Sequence, residues 1–184
     1  MGVLESGMQI AVYGGSFNPP HVGHAMVAGW LTWTRRADSV WLVPCVEHAF
    51  DKELAPFAAR KAMCEALARA VGPQVLVSDI EVSLPTPNYT WNTLRSLSER
   101  HPEHRFRLVV GADTLDETHL WHRWDDIVER FTPIIVGRGG FPPVPTAPTF
   151  PQLSSTELRA ALARGEPVDH LVVAGVIEHL GVYT

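Results

Sequence analysis

The 184-residue sequence has two cysteines, Cys45 and Cys64. They are too few for a disulfide framework, and their spacing lacks metal-finger form. Reduced, partly buried thiols are expected. No apolar run reaches about 18 residues, so no spanning helix is expected. No basic-apolar-small signal opens the chain, which makes the cytoplasm the expected location. Positive charge is not in excess either, since 15 Lys and Arg against 20 Asp and Glu give a net charge of -5. That balance gives no whole-molecule attraction for nucleic acid or an anionic membrane, so an anionic ligand needs local cations or helix N-termini. Internal repeats and blocks of like charge are absent. Missing too are the Gly-Lys-Ser/Thr of a P-loop and the three-glycine spacing of a dinucleotide fingerprint.

What is present is ordinary globular material, 46% hydrophobic and 19% charged, in a length that suits one domain with a sizeable core. The first seven residues read as a short leader. Met8 to Tyr13 reads as a buried strand stopped by Gly14-Gly15. Val22, Met26, Trp30 and Trp33 then recur at helical spacing. Val40 to Val43 is a second strand, ended by Pro44. Residues from Pro56 to Ala70 are helical, with Phe57, Met63, Leu67 and alanines on the apolar side. Val75 to Val77 is a third strand, Thr90 to Glu99 a helix, Phe106 to Val110 a fourth strand and Pro133 to Val136 a fifth. The Arg138–Pro151 stretch, rich in proline, reads as a loop. Ser155 to Arg164 and Val168 to Leu180 read as two closing helices. Strands alternating with helices, several of them continuous apolar runs, predict an α/β fold: an open parallel sheet of about five strands flanked by helices on both faces. Residues 1–184 are expected to form a single domain, and copies of it are free to assemble.

Ligands of such sheets sit beyond the C-terminal strand ends, where the connection direction switches. The first strand delivers Gly14-Gly15 there, and glycines let backbone N–H groups approach a ligand closely. The helix that follows presents its positive N-terminal end. His21-Val22-Gly23-His24 places two imidazoles three residues apart at that helix start, able to share one face toward one anion. Gly23 is expected to leave room for a ligand. Capping by one histidine and packing by the other is the bland alternative, and the Gly-Gly exit and Pro19-Pro20 entry favour phosphate chemistry. Farther on, Leu153-Ser154-Ser155-Thr156-Glu157-Leu158-Arg159 offers hydroxyls at a helix start with an arginine one turn inside, which a capped helix would also explain.

Gly14-Gly15-Ser16-Phe17-Asn18-Pro19-Pro20-His21-Val22-Gly23-His24 resembles the signature of the nicotinate-mononucleotide adenylyltransferases, within the HxGH nucleotidyltransferase superfamily. Ser154 to Arg159 is similar to that family's C-terminal Ile-Ser-Ser-Thr-x-Ile-Arg motif, and Pro87-Asn88-Tyr89-Thr90 to its Pro-Ser-Tyr-Thr segment. Gly111-Ala112-Asp113 resembles its Gly-x-Asp, and Trp121 and Trp124 fall where it places a tryptophan near the pyridine ring. The resemblance implies a Rossmann-like fold and transfer of AMP from ATP to nicotinate mononucleotide, with nicotinamide mononucleotide as a further acceptor. Phosphopantetheine as acceptor, or a non-catalytic nucleotide-binding module, are the alternatives. It implies catalytic roles for His21, His24 and Arg159, and ATP contacts from Gly14, Gly15, Ser16, Phe17, Gly111, Asp113, Ser154 and Ser155. Tyr89, Thr90 and Trp121 would contact the acceptor, and Mg²⁺ would bind through the ATP phosphates with no protein ligands. The sequence departs from the family after the second strand, where Pro-Pro-His-Lys is replaced by Val43-Pro44-Cys45-Val46-Glu47-His48-Ala49-Phe50-Asp51-Lys52. His48 and Lys52 are candidate acceptor contacts there. His119 and His122 are expected at the surface or pocket rim rather than on a metal.

Overall fold

A computed structural model describes residues 7–47 and 54–184. The first six residues of the leader and the candidates His48 and Lys52 lie outside the described residues. Six strands form one parallel sheet: β1 (Gln9–Gly15), β2 (Ser39–Pro44), β3 (Val75–Val77), β4 (Arg105–Gly111), β5 (Ile134–Arg138) and β6 (Thr149–Phe150), in the order β3-β2-β1-β4-β5-β6. The chain winds outward from β1 to β3, then returns to the other side of β1 with β4. The switch point therefore falls between β1 and β4, and their C-terminal ends flank the crevice where such sheets bind ligands.

Two helices cover each face. Val27, Ala28 and Leu31 of α1 (Val22–Trp33) and Cys64, Leu67 and Ala68 of α2 (Phe57–Val71) pack with Ala11, Val40, Leu42 and Val109 of the sheet. On the other face, α3 (Thr90–Arg100) and α4 (Trp124–Phe131) bring Trp91, Leu94, Leu97, Ile127 and Phe131 onto Ile10, Val12, Leu108 and Val110. Alternate residues of β1 and β4 thus serve opposite cores, so both faces read as apolar and the strands as continuous apolar runs.

Several expectations are corrected. The Arg138–Pro151 loop contains β6, whose two residues pair with Gly137 and Arg138 and extend the sheet. The buried stripe of α1 is Gly23, Val27, Ala28, Gly29 and Leu31, while Trp33 is 71% exposed. Trp30 packs partly buried against the same core, while the Trp33 ring lies over Gly29. A nine-residue stretch of 3-10 turns, Ala112–Leu120, and α4 occupy a span with no expected helix, although Trp124, Ile127, Val128 and Phe131 of α4 fall at helical spacing. The second closing helix is broken into Asp169–Leu171, α6 (Ala174–Ile177) and Leu180–Tyr183, with α5 (Ser155–Ala163) intact before it. Val168, Val172, Val176 and Leu180 nevertheless bury together against Met63, Ala66 and Leu158. Their spacing reads burial correctly, but β-branched Val172-Val173 and Gly175 disfavour a continuous helix. Cys64 is fully buried and Cys45 half-buried, both free, and burial pushes both thiols up.

Candidate active site

The β1 exit turns sharply at Phe17, whose φ of 44° lies in the left-handed region that non-glycine residues rarely occupy. The surrounding packing holds it there: the Phe17 ring is buried, 4.9 Å from the His24 ring and 5.7 Å from Tyr13. Phe17 therefore offers a ligand its backbone rather than its side chain. Gly14 has open space where a Cβ would point, so the approach to the backbone is clear on that side.

His21 is the N-cap residue of α1, in extended conformation, and His24 lies one turn in. The rings stack 3.8 Å apart at 26°. His24 Nδ1 accepts the backbone N–H of His21 at 3.1 Å, so one otherwise unpaired donor of the helix start is satisfied. Burial, then the charge of Arg138, lowers the His21 pKa to about 4. Burial, then His21 and Arg138, holds His24 well below the ordinary range. Both rings are neutral near pH 7. With Nδ1 accepting, neutral His24 carries its proton on Nε2 and is a hydrogen-bond donor from that atom. His21 Nδ1 is buried without a hydrogen-bond partner among the described residues.

Gly23 has a different job from the one expected of it. A Cβ there would meet Cε1 and Nδ1 of His21 at 3.0 Å, so the glycine makes room for the imidazole itself. Gly111 is similar, since a Cβ would collide with the Asp113 carboxylate folded back over it.

The C-terminal motif closes onto this turn. Ser155 Oγ donates to the Pro19 carbonyl at 2.8 Å, and Arg159 Nη1 to the Asn18 carbonyl at 2.6 Å. Asn18 Oδ1 also accepts from Ala55 N at 3.1 Å and from the Tyr183 hydroxyl at 2.9 Å. Ser154 is occupied otherwise: its Oγ accepts from Glu157 N at 3.1 Å and donates to the Glu157 carboxylate at 2.9 Å, a capped helix start. The N-terminal ends of α1 and α5 thus meet at one place, and both favour negative charge.

Across the crevice, Asp113 follows β4 and is paired with Arg138, which ends β5, at 2.9 Å. Arg138 also donates to the Leu153 carbonyl at 2.6 Å, joining the β5 exit to the α5 approach. Tyr89, the N-cap of α3, is 40% exposed and stacks on His122 with centroids 4.6 Å apart. Trp121 packs on the second core edge-to-face with Trp124 at 5.5 Å. Thr90 begins α3 beside Tyr89, and Ser16 contributes its carbonyl to Arg60. A groove of about 640 Å³ lined by His104, Arg105, Arg107 and Arg130 lies at the opposite end of the sheet and includes none of the predicted site residues.

Three charged residues escaped the sequence reading. Arg138 had a usable signal, a cation directly at a strand exit. Arg60 had one too, a charge at helical spacing between Phe57 and Met63 within an apolar stripe. Glu81, 8% exposed, accepts from Thr93 Oγ1 at 2.9 Å and Val46 N at 3.3 Å. Burial raises its pKa above the ordinary range. Nothing in its sequence context marks it.

A parallel sheet whose switch point carries a two-histidine turn defines a nucleotide-handling α/β protein, and a family model of cytidylyltransferase-like proteins matches residues 12–161. Within that class the chain belongs to the nicotinate-nucleotide adenylyltransferase family. It is 48% identical to a probable nicotinate-nucleotide adenylyltransferase of Anaeromyxobacter sp. (strain K), covering 98% of this chain and 99% of that protein. A protein of the same description from Myxococcus xanthus (strain DK1622) is 38% identical over 96% of this chain and 93% of its own length. The fold is also that of the Plasmodium falciparum nicotinic acid mononucleotide adenylyltransferase complexed with NaAD, with a TM-score of 0.76 at 21% identity and 95% of each chain covered.

Proposed function

We propose that the chain transfers AMP from ATP to nicotinate mononucleotide, releasing pyrophosphate and forming the dinucleotide for NAD synthesis, with nicotinamide mononucleotide as a second acceptor. The observation that carries this is the neutral, stacked His21–His24 pair at the switch point, tied through Asn18 and Pro19 to Arg159 and Ser155. In the reaction an acceptor 5′-phosphate oxygen attacks the α-phosphorus of ATP. The bond to the bridging oxygen breaks, and its electron pair leaves with pyrophosphate. No protein nucleophile is required, so the protein positions the reactants and stabilises charge.

His24 Nε2–H donates to the α-phosphate as charge builds on it, and His21 lies beside it on the phosphates. Gly14, Gly15, Ser16 and Phe17 line the cradle with backbone groups. Arg159 and the N-terminal end of α5 face the β and γ phosphates, with Ser155 setting the turn and Ser154 the helix. Gly111 and Asp113 serve the ATP ribose, and Tyr89, Thr90 and Trp121 the acceptor. His48 and Lys52 remain candidates for the acceptor's phosphate. Among the described residues no group of three or more His, Cys, Asp or Glu side chains gathers to hold a metal. Mg²⁺ would enter on the nucleotide, bound mainly by phosphate oxygens and water, where it would neutralise phosphate charge. The reading includes a single domain over 1–184, small-molecule partners and a cytoplasmic location.

Pyrophosphate release from ATP and Mg²⁺ is measured with nicotinate mononucleotide, nicotinamide mononucleotide and phosphopantetheine. Release with the pyridine mononucleotides supports the proposal. Preference for phosphopantetheine overturns the acceptor, and ATP binding without release with any acceptor leaves a binding module.

A further inference from the structure

Resting on that reading, we propose that Arg60 is a positioning residue that sets the ATP turn and the acceptor side of the crevice at their working separation. Arg60 rises from α2 beneath the crevice and is 1% exposed. Its Nη1 donates to the carbonyls of Ser16 at 2.9 Å and Cys45 at 2.7 Å, and its Nε to that of Ala55 at 2.9 Å. Ser16 follows β1 and Cys45 follows β2, so one guanidinium joins the exits of the two neighbouring strands. It makes no ion pair among the described residues. A buried charge is costly unless well hydrogen-bonded, and a neutral side chain of similar volume would fill the core at lower cost.

What the arginine adds is geometry. Its planar fork reaches several carbonyls at fixed angles, which the single ammonium of lysine does not reproduce. The two segments it joins have different further supports. The β1 turn is also held by Ser155 and Arg159. On the β2 side, Val46 N donates to Glu81 at 3.3 Å, and the last bond of the β1–β2 ladder runs from Cys45 N to the Gly15 carbonyl at 2.9 Å. Loss of the Arg60 fork therefore leaves the strands paired and frees the carbonyls of Ser16, Cys45 and Ala55 that lie beyond that bond.

The test compares wild type, Arg60→Lys and Arg60→Gln in kcat, both KM values and the ATP Kd by calorimetry, well below each variant's Tm. The expected result for Arg60→Lys is an ATP Kd within about threefold of wild type and a kcat about 10²-fold lower, the scale of an ångström's misplacement of reactants. Arg60→Gln should lose as much or more. A kcat per folded molecule within about threefold of wild type, with only Tm reduced, overturns the proposal and leaves Arg60 a purely structural residue. Failure of both variants to fold has the same meaning. Absence of pyrophosphate release by wild type with every acceptor would instead overturn the transferase reading, so the two failures are distinct.

Discussion

His24 Nδ1 accepts the backbone N–H of His21 at 3.1 Å while its ring stacks 3.8 Å from that same residue's imidazole. One side chain is thus both helix cap and proposed donor to the reacting phosphate. The two roles use different ring nitrogens and can be separated. His24→Ala removes both: a loss of about 1 kcal/mol in stability from the missing cap, and about 10²–10³-fold in kcat from the missing donor. His24→Gln keeps an acceptor at the third helical position and should recover most of the stability without the activity. Urea titration beside steady-state rates checks this, and full activity in either folded variant removes His24 from the chemistry.

Stability should fall on mild acidification. The pKa of His21 drops from 6.5 to about 4 on folding, so between those values the unfolded chain binds more protons. The stabilisation is complete above 6.5 and declines as pH falls toward 4, by a magnitude on the order of 3 kcal/mol. His21→Asn should flatten the fall in urea midpoint between pH 7 and 5. Because phosphate charge favours the imidazolium form, ATP binding near pH 6 should take up protons, read by calorimetry in buffers of different ionisation enthalpy.

Gly23→Ala should leave the fold intact, since alanine favours a helix by about 1 kcal/mol over glycine. Its methyl would press on the His21 ring at 3.0 Å. A fall of about tenfold or more in kcat with unchanged or raised Tm is expected, given how steeply rate depends on placement. Unchanged kcat would show that the ring's position is not critical.

Arg138→Gln removes a cation whose charge lowers both histidines and which is paired with Asp113 at 2.9 Å. The His21 pKa should rise, visible as an upward shift of its imidazole titration by NMR, and affinity for ATP should weaken. No movement of that titration would sever Arg138 from the site.

Ser154→Ala and Ser155→Ala should part company. Ser154 caps α5, so its loss should cost about 1 kcal/mol with little change in the KM for ATP. Ser155 holds the Pro19 carbonyl at 2.8 Å, and its loss should raise that KM. Equal effects of the two variants on KM would contradict this division.

The α/β alternation and the β1 turn were legible because they depend on local signals: apolar runs, glycine exits and a two-histidine helix start. What these residues touch was not. Gly23 reads as space for a ligand, yet its neighbour is the His21 ring, a fact of ring packing that spacing alone does not contain. The helical spacing of Val22, Met26, Trp30 and Trp33 marks α1, while the residues it buries, Val27, Ala28 and Leu31 among them, are set by contact with the sheet. β6 is too short to carry a period, and its two residues become a strand only by pairing with Gly137 and Arg138. Arg60 and Glu81 act through carbonyls and amides distant in sequence, and those partners appear only once the chain is folded.

Asn18 is bonded by Arg159 from 141 positions away and by Tyr183 from 165. A ribosome produces the histidine turn early and its fastenings late. A nascent chain halted before Ser155 carries His21 and His24 but none of the bonds that α5 and Tyr183 supply. Nucleotide retention by stalled chains of increasing length should therefore rise in steps as these residues emerge, so that binding competence follows α5 and Tyr183 rather than the turn itself.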